Sequence, residues 1–170
     1  MSRPRRLGVT AALVDGEMLA GDVSLADGSI ESVGLPVGDA ARGVAVAGFV
    51  DLQVNGFAGV QFIEADSQDM SRAAGALGRA GVVFASPTLY SSTVDRYSSA
   101  LGELVALLEA EPDCGLTGAH LEGPFLSPRW AGAHDLRTFL EPDPGLLATL
   151  CGAGPVATVT LAPELRGVSQ

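Results

Sequence analysis

The stretch Val44-Ala45-Val46-Ala47-Gly48-Phe49-Val50-Asp51-Leu52-Gln53-Val54-Asn55-Gly56 decides how this chain is read. It is nearly continuously apolar from Val44 to Val54 and then runs into Asn55-Gly56, a pair suited to turns. Such a run reads as a strand buried on both faces, which is the mark of a parallel sheet. The residues that follow keep the rhythm such a sheet needs. Asp66 or Ser67 can cap a helix whose apolar positions are Met70, Ala73, Ala74 and Leu77, stopping at Gly81. Gly81–Tyr90 reads as a second buried strand. Ser92 or Thr93 then opens a helix with Val94, Tyr97, Leu101, Leu104 and Leu108 on one stripe, ended before Pro112. Cys114–Leu121 is a third strand, Pro142–Leu150 a short helix beginning at proline, and Val156–Leu161 a fourth strand.

Strands alternating with helices predict an α/β fold with a parallel sheet. Four βα units make half of a (β/α)8 barrel of TIM type, which takes about 250 residues in full. An open flavodoxin-like sheet of four strands has the same periodicity, and spacing alone does not separate the two. Residues 1–46 read differently, as short strands joined by the hairpin signals Asp15-Gly16 and Asp27-Gly28. The organisation is therefore a β-rich layer over 1–46 and a strand–helix repeat over 47–170.

Bulk properties narrow the function. A chain of 170 residues with 47% apolar and 18% charged residues is globular, and its net charge of −10 argues against nucleic acid. Every basic residue is arginine, so lysine-dependent chemistry (Schiff bases, P-loop lysines, carboxylated-lysine metal bridges) is excluded. Cys114 and Cys151 lack metal or redox spacing and read as reduced thiols. The basic Met1–Arg6 and apolar Leu7–Val14 are closed by Asp15 and Glu17 without a cleavage site, and no run suits a membrane span. A cytoplasmic protein is expected.

Two strand ends are unusually polar. Asp51, Gln53 and Asn55 are two residues apart, so they share a face. An edge strand entering an Asn-Gly turn would look the same. His120 and Glu122 likewise share a face at the end of an apolar strand. A carboxylate there needs hydrogen bonds, a counter-charge or a metal, and both side chains are ordinary zinc ligands. A satisfied buried pair fits equally well. The loop Trp130-Ala131-Gly132-Ala133-His134 holds the other histidine, a residue usually solvated in such a setting. Glu122 and His120 are expected on the same side as Asp51, Gln53 and Asn55.

In combination, Gly48–Phe62, Gly118–Phe125, Gly132-Ala133-His134 and Val159–Glu164 resemble, in order, the N-terminal portion of N-acetylglucosamine-6-phosphate deacetylases of the amidohydrolase superfamily. The resemblance implies a partial barrel preceded by a small β-sandwich. It implies Glu122 as the carboxylate ligand of a divalent metal, zinc by expectation. Gln53 and Asn55 stand where many amidohydrolases carry a metal-binding histidine pair, which implies a single-metal site. Ala133 and His134 match a loop that contacts the substrate, and His120 lies beside the metal ligand rather than on the metal. Ala47 stands where proline is common, and Ala58 interrupts a glycine-rich loop.

The implied reaction is hydrolysis of the N-acetyl amide of N-acetylglucosamine 6-phosphate to glucosamine 6-phosphate and acetate. In it, metal polarises the carbonyl and activates water while an aspartate moves protons. The implied partner is a phosphorylated amino sugar, with neither nucleic acid nor membrane, and full-length members are expected to be homo-oligomers. The family's two histidine metal ligands and catalytic aspartate come from later strands, so these 170 residues are expected to be an incomplete site and inactive alone. Two other readings share the sequence: an amidohydrolase acting on a cyclic amide or another acetylated sugar, and a non-catalytic fragment.

Overall fold

In the computed structural model, which describes residues 4–168, Asp15-Gly16 and Asp27-Gly28 reverse the chain at two hairpins, as expected. Both aspartates adopt positive φ, 50° and 49°, the conformation that tight two-residue hairpins demand. Met1–Arg3 of the basic N-terminal stretch and the last two residues lie outside the described residues.

The chain packs as two units, Met1–Gly48 and Phe49–Gln170. The first unit holds strands β1 (Arg5–Arg6), β2 (Ala11–Val14), β3 (Glu17–Ala20), β4 (Asp22–Ala26), β5 (Ser29–Leu35) and β6 (Val44–Ala45). They form two three-stranded sheets, ordered β1-β4-β5 and β3-β2-β6. Asp22-Val23-Ser24-Leu25 alternates polar and apolar residues, yet Asp22, Val23 and Ser24 are all buried. The polar side chains are buried because they are satisfied. Asp22 Oδ1 accepts the backbone N–H groups of Gly8 (2.9 Å), Val9 (3.0 Å) and Val23 (2.8 Å), and Oδ2 accepts Arg6 Nε at 3.0 Å. Ser24 donates to Glu31 at 2.8 Å.

The second unit contains β7 (Phe49–Val54), a hairpin of β8 (Gly56–Phe57) and β9 (Val60–Gln61), and helix α1 (Ser67–Arg79). Strand β10 (Val82–Tyr90), helix α2 (Val94–Ala110), strand β11 (Ala119–Glu122), helix α3 (Pro144–Ala153) and strand β12 (Val156–Thr160) follow. Strands β7, β10, β11 and β12 lie side by side in chain order, every pair parallel, so the expected α/β alternation is present. Helix α1 buries Met70, Ala73, Ala74 and Leu77, and Asp66 caps it by accepting Asp69 N–H at 2.8 Å. Thr93 caps α2, whose buried stripe is Tyr97, Ala100, Leu101, Leu104 and Leu107; the expected Leu108 is only partly buried. With Phe62, Leu89, Leu116, Ala119, Leu121 and Leu150 these side chains make one core between sheet and helices.

Three element readings need correction. The run Val44–Val54 is not one buried strand: it breaks after β6, and Phe49 and Leu52 of β7 are 67% and 70% exposed. Strand β7 is an edge of the sheet. The third strand begins at Ala119 rather than Cys114, because the chain at Gly115 takes φ 85° and pairs with the sheet there through an isolated Leu116–Ala85 bridge rather than a continuous ladder. Helix α3 starts at Pro144, not Pro142, since Asp143 is the residue whose side chain accepts the free N–H groups of Gly145 (2.7 Å) and Leu146 (3.2 Å).

Both cysteines are free, Cys114 half-buried and Cys151 exposed. Among the described residues, no helix is long and apolar enough to cross a membrane.

Candidate active site

Parallel strands carry their loops at one end, and here the ends of β7, β10 and β11 converge on a single pocket. It has a volume of about 650 Å³ and is lined by Asn55, Gln61, Tyr90, Ser91, Glu122, Ala133, His134 and Asp135. That volume falls in the range of about 300–1,000 Å³ usual for small-molecule sites.

Glu122, the last residue of β11, stands on the wall of this pocket. Gln53 Nε2 donates to its Oε1 at 3.0 Å, and Asn55 Nδ2 donates to its Oε2 at 3.2 Å. The two amides therefore hold the carboxylate in a forked grip and share its side of the sheet. Asp51 does not reach the pocket; its Oδ1 accepts the backbone N–H of Gln53 at 3.1 Å. Asn55 does not turn the chain at positive φ. Instead the chain continues into the β8–β9 hairpin, and Gly56 is demanded by closeness: a Cβ there would lie 2.0 Å from Val60 O. The positive φ values fall at Ala58 (51°) and Gly59 (82°).

His134 faces the carboxylate from the far loop, with Nε2 3.7 Å from Glu122 Oε1. Its Nδ1 lies 2.8 Å from Ser91 Oγ, and Phe139 flanks its ring at a centroid distance of 6.2 Å. Ala133 lines the same pocket. His120 is not part of the lining: it is 4% exposed, its Nε2 bonds Thr160 Oγ1 at 2.7 Å, and its Nδ1 has no hydrogen-bond partner. Tyr97 supports the strand end from the core side, its hydroxyl donating to Glu122 O at 3.4 Å. Burial drives the Tyr97 phenol far above its ordinary range; a hydrogen bond with the Ser92 backbone opposes this and the Glu122 charge adds to it.

Four lining residues were not singled out in the sequence: Gln61, which lies within Gly48–Phe62, and Tyr90, Ser91 and Asp135. Tyr90 and Ser91 follow directly from the end of β10, so the rule that strand ends build the site would have found them. Asp135 is occupied by Arg137, whose guanidinium hydrogen bonds hold the carboxyl down at about 2. Gln61 accepts the Tyr90 hydroxyl at 3.3 Å.

The described residues do not make a metal site on their own. No group of three or more His, Cys, Asp or Glu side chains among them is placed to hold an ion. Glu122 is a lone anionic donor set in neutral amides, which orient it without adding ligands of the kind zinc takes.

No protein-family model matches the chain. Over 132 residues it is 40% identical to the N-acetylglucosamine-6-phosphate deacetylase of Bos taurus, which covers 72% of this chain and 32% of that enzyme. It is 27% identical over 174 residues to an N-acetylgalactosamine-6-phosphate deacetylase of Escherichia coli, covering 99% of this chain and 45% of that enzyme. In three dimensions it resembles a variant N-acetyl-D-glucosamine-6-phosphate deacetylase of Mycobacterium smegmatis in complex with N-acetyl-D-glucosamine 6-phosphate. The TM-score is 0.79 at 30% identity, over 94% of this chain and 44% of that one. The chain thus spans about a third to a half of the length of the relatives it matches. On both sequence and fold, it is a homologue of the N-acetylglucosamine-6-phosphate deacetylases, matching part of their length.

Proposed function

We propose that the pocket is part of the site of a hydrolase that removes the acetyl group from an N-acetylated amino-sugar 6-phosphate. The observation that carries this reading is Glu122, a carboxylate gripped by two amides on the wall of a sugar-sized pocket, with His134 opposite. Gln53 and Asn55 orient the carboxylate, and His134 with Ala133 forms the face toward the sugar. Glu122 is the residue that would hold zinc or another divalent ion, and the described residues do not bring together the set of about three protein ligands that a catalytic site takes. On this reading these 170 residues, by themselves, release no acetate and hold zinc weakly.

The same reading takes the second unit as consecutive βα units of a (β/α)8 barrel and the two small sheets of the first unit as its β-sandwich. Strand order supports it, since β7, β10, β11 and β12 follow chain order without the reversal of a flavodoxin-like sheet. The helices support it as well: α1 packs on α2 and α2 on α3, as neighbours on one face of the sheet do. A third support is curvature. Adjacent strands lie about 4.8 Å apart, so β7 and β11 are separated by about twice that. The side chains of Gln53 and Glu122 meet over β10, as they do where a sheet curls toward them. The cytoplasm is the matching compartment, supported by two free thiols.

A second substrate has its own support, because the relative that covers 99% of this chain acts, by name, on the galactosamine epimer. Joining this chain to the remaining length of a homologous deacetylase and measuring acetate release from both epimers tests the reading. Faster release from the glucosamine compound is expected. A folded protein that releases acetate from neither, or hydrolyses a cyclic amide instead, contradicts it.

A further inference from the structure

Ser91 belongs to none of the sequence motifs, yet its Oγ lies 2.8 Å from His134 Nδ1 on the pocket wall. The two residues are brought together by the fold alone, one at the end of β10 and the other in the loop beyond β11. Ser91 is 4% exposed, so its hydroxyl has little water to turn to. It is also fixed from behind: a Cβ on Gly123, the residue after Glu122, would sit 3.2 Å from Ser91 Cβ. His134 is held equally firmly, its backbone N–H bonded to Ala131 O at 3.0 Å and its ring flanked by Phe139.

A neutral imidazole carries one proton, and its neighbours decide which nitrogen has it. Two arrangements satisfy the Ser91 contact. With the proton on Nδ1, the ring donates to Ser91 Oγ and turns the Nε2 lone pair toward Glu122 Oε1, 3.7 Å away. Lone pair would then face carboxylate, an acceptor facing an acceptor. With the proton on Nε2, Ser91 donates its O–H to Nδ1 and the Nε2–H dipole points at the negative charge. Electrostatics favours the second arrangement, and the Ser91 hydroxyl, which can donate, holds it from the Nδ1 side.

We infer that Ser91 is a positioning residue that locks His134 in its Nε2–H form, making the imidazole a hydrogen-bond donor into the pocket. The inference builds on the proposed sugar site. The protonated nitrogen can be read without any sugar present, so either idea can fail while the other stands.

The test uses the 170-residue chain labelled with 15N at histidine and observed by magic-angle-spinning NMR, which tolerates self-association. The chain has only two histidines, so His134→Gln assigns both sets of signals. Spectra are taken where the His134 ring is neutral. The wild type is expected to show Nε2 protonated and Nδ1 bare. Ser91→Ala is expected to give a mixture of both forms at His134, with His120, bonded to Thr160, unchanged. Ser91→Thr, which keeps the hydroxyl, is expected to restore the single form. A wild-type His134 protonated on Nδ1, or already a mixture, overturns the inference without recourse to any variant. So does a folded Ser91→Ala chain whose His134 signals match the wild type.

Discussion

Gln53 and Glu122 sit on strands β7 and β11, which do not touch, yet Gln53 Nε2 donates to Glu122 Oε1 at 3.0 Å across the intervening β10. This bond links two polar strand ends 69 residues apart in sequence, and with Asn55 it fixes the carboxylate on which the functional reading rests. Its strength is measurable. In a double-mutant cycle of Gln53→Ala and Glu122→Ala, we expect a coupling of about 0.5–1 kcal/mol, the value of a hydrogen bond still open to water. Urea denaturation of the four proteins checks it. Additive effects would mean that the amides merely lie beside the carboxylate.

Ala58 is exposed and held at φ 51°, between Phe57 and Gly59 in the β8–β9 hairpin. A side chain in this left-handed region costs about 1–2 kcal/mol, against about 0.5–1 kcal/mol of extra unfolded-state entropy for glycine. Ala58→Gly is therefore expected to stabilise the protein by about 0.5–1 kcal/mol and to raise Tm by about 1–4 °C. Differential scanning calorimetry measures this directly, and a lower Tm would show that the turn is not strained.

Asp22 is expected to contribute to the acid response of the first unit. Burial alone would raise its carboxyl, but the N–H groups of Val9 and Val23 and the Arg6 guanidinium outweigh it and hold the group below its ordinary value. A depressed carboxyl contributes stability above its unfolded value, and that contribution is lost as pH falls through the folded value. The urea midpoint should therefore drop on acidification below about pH 4. Asp22→Asn should be less stable near neutrality and lose part of that drop. An unchanged pH profile in the variant would place the acid sensitivity elsewhere.

The exposed apolar side chains of β7 should make the chain self-associate. Phe49, Val50 and Leu52 are exposed along an edge strand, with Phe84 beside them on β10, and the edge lacks the lysines that commonly discourage pairing. The net charge of −10 opposes contact, but its reach is about 8 Å at physiological ionic strength. Sedimentation velocity should show oligomers whose size grows with salt, and Leu52→Arg should reduce them. A monomer at all salt concentrations would mean that the sheet is self-sufficient.

Much of this was legible in the sequence, for reasons that individual residues show. The stripe of Met70, Ala73, Ala74 and Leu77 could bury only as a helix, and alternation put Gln53 and Asn55 on one face, although the same rule did not bring Asp51 or His120 to the pocket. Leu107 and Leu108 were harder to separate, because three and four residues beyond Leu104 are equally good helical neighbours. Pro142 and Pro144 both suit the first turn of a helix, and the choice lay with the cap at Asp143. The exposed Leu52 could not be foreseen, since an apolar strand reads alike at the centre and at the edge of a sheet. The strand-end rule points to the position of Ser91, but not to its pairing with His134, 43 residues away.

The claim on which all of this turns is that Glu122 belongs to the reaction centre. The decisive quantity is kcat/KM for acetate release from N-acetylglucosamine 6-phosphate, measured on the chain joined to the remaining length of a homologous deacetylase. Wild type and Glu122→Ala are compared, with circular dichroism to show that both fold. We predict that the substitution lowers kcat/KM by about a thousandfold or more, which corresponds to at least about 4 kcal/mol of transition-state stabilisation. A folded Glu122→Ala protein within about tenfold of the wild type, a difference of only about 1.4 kcal/mol, would contradict the account.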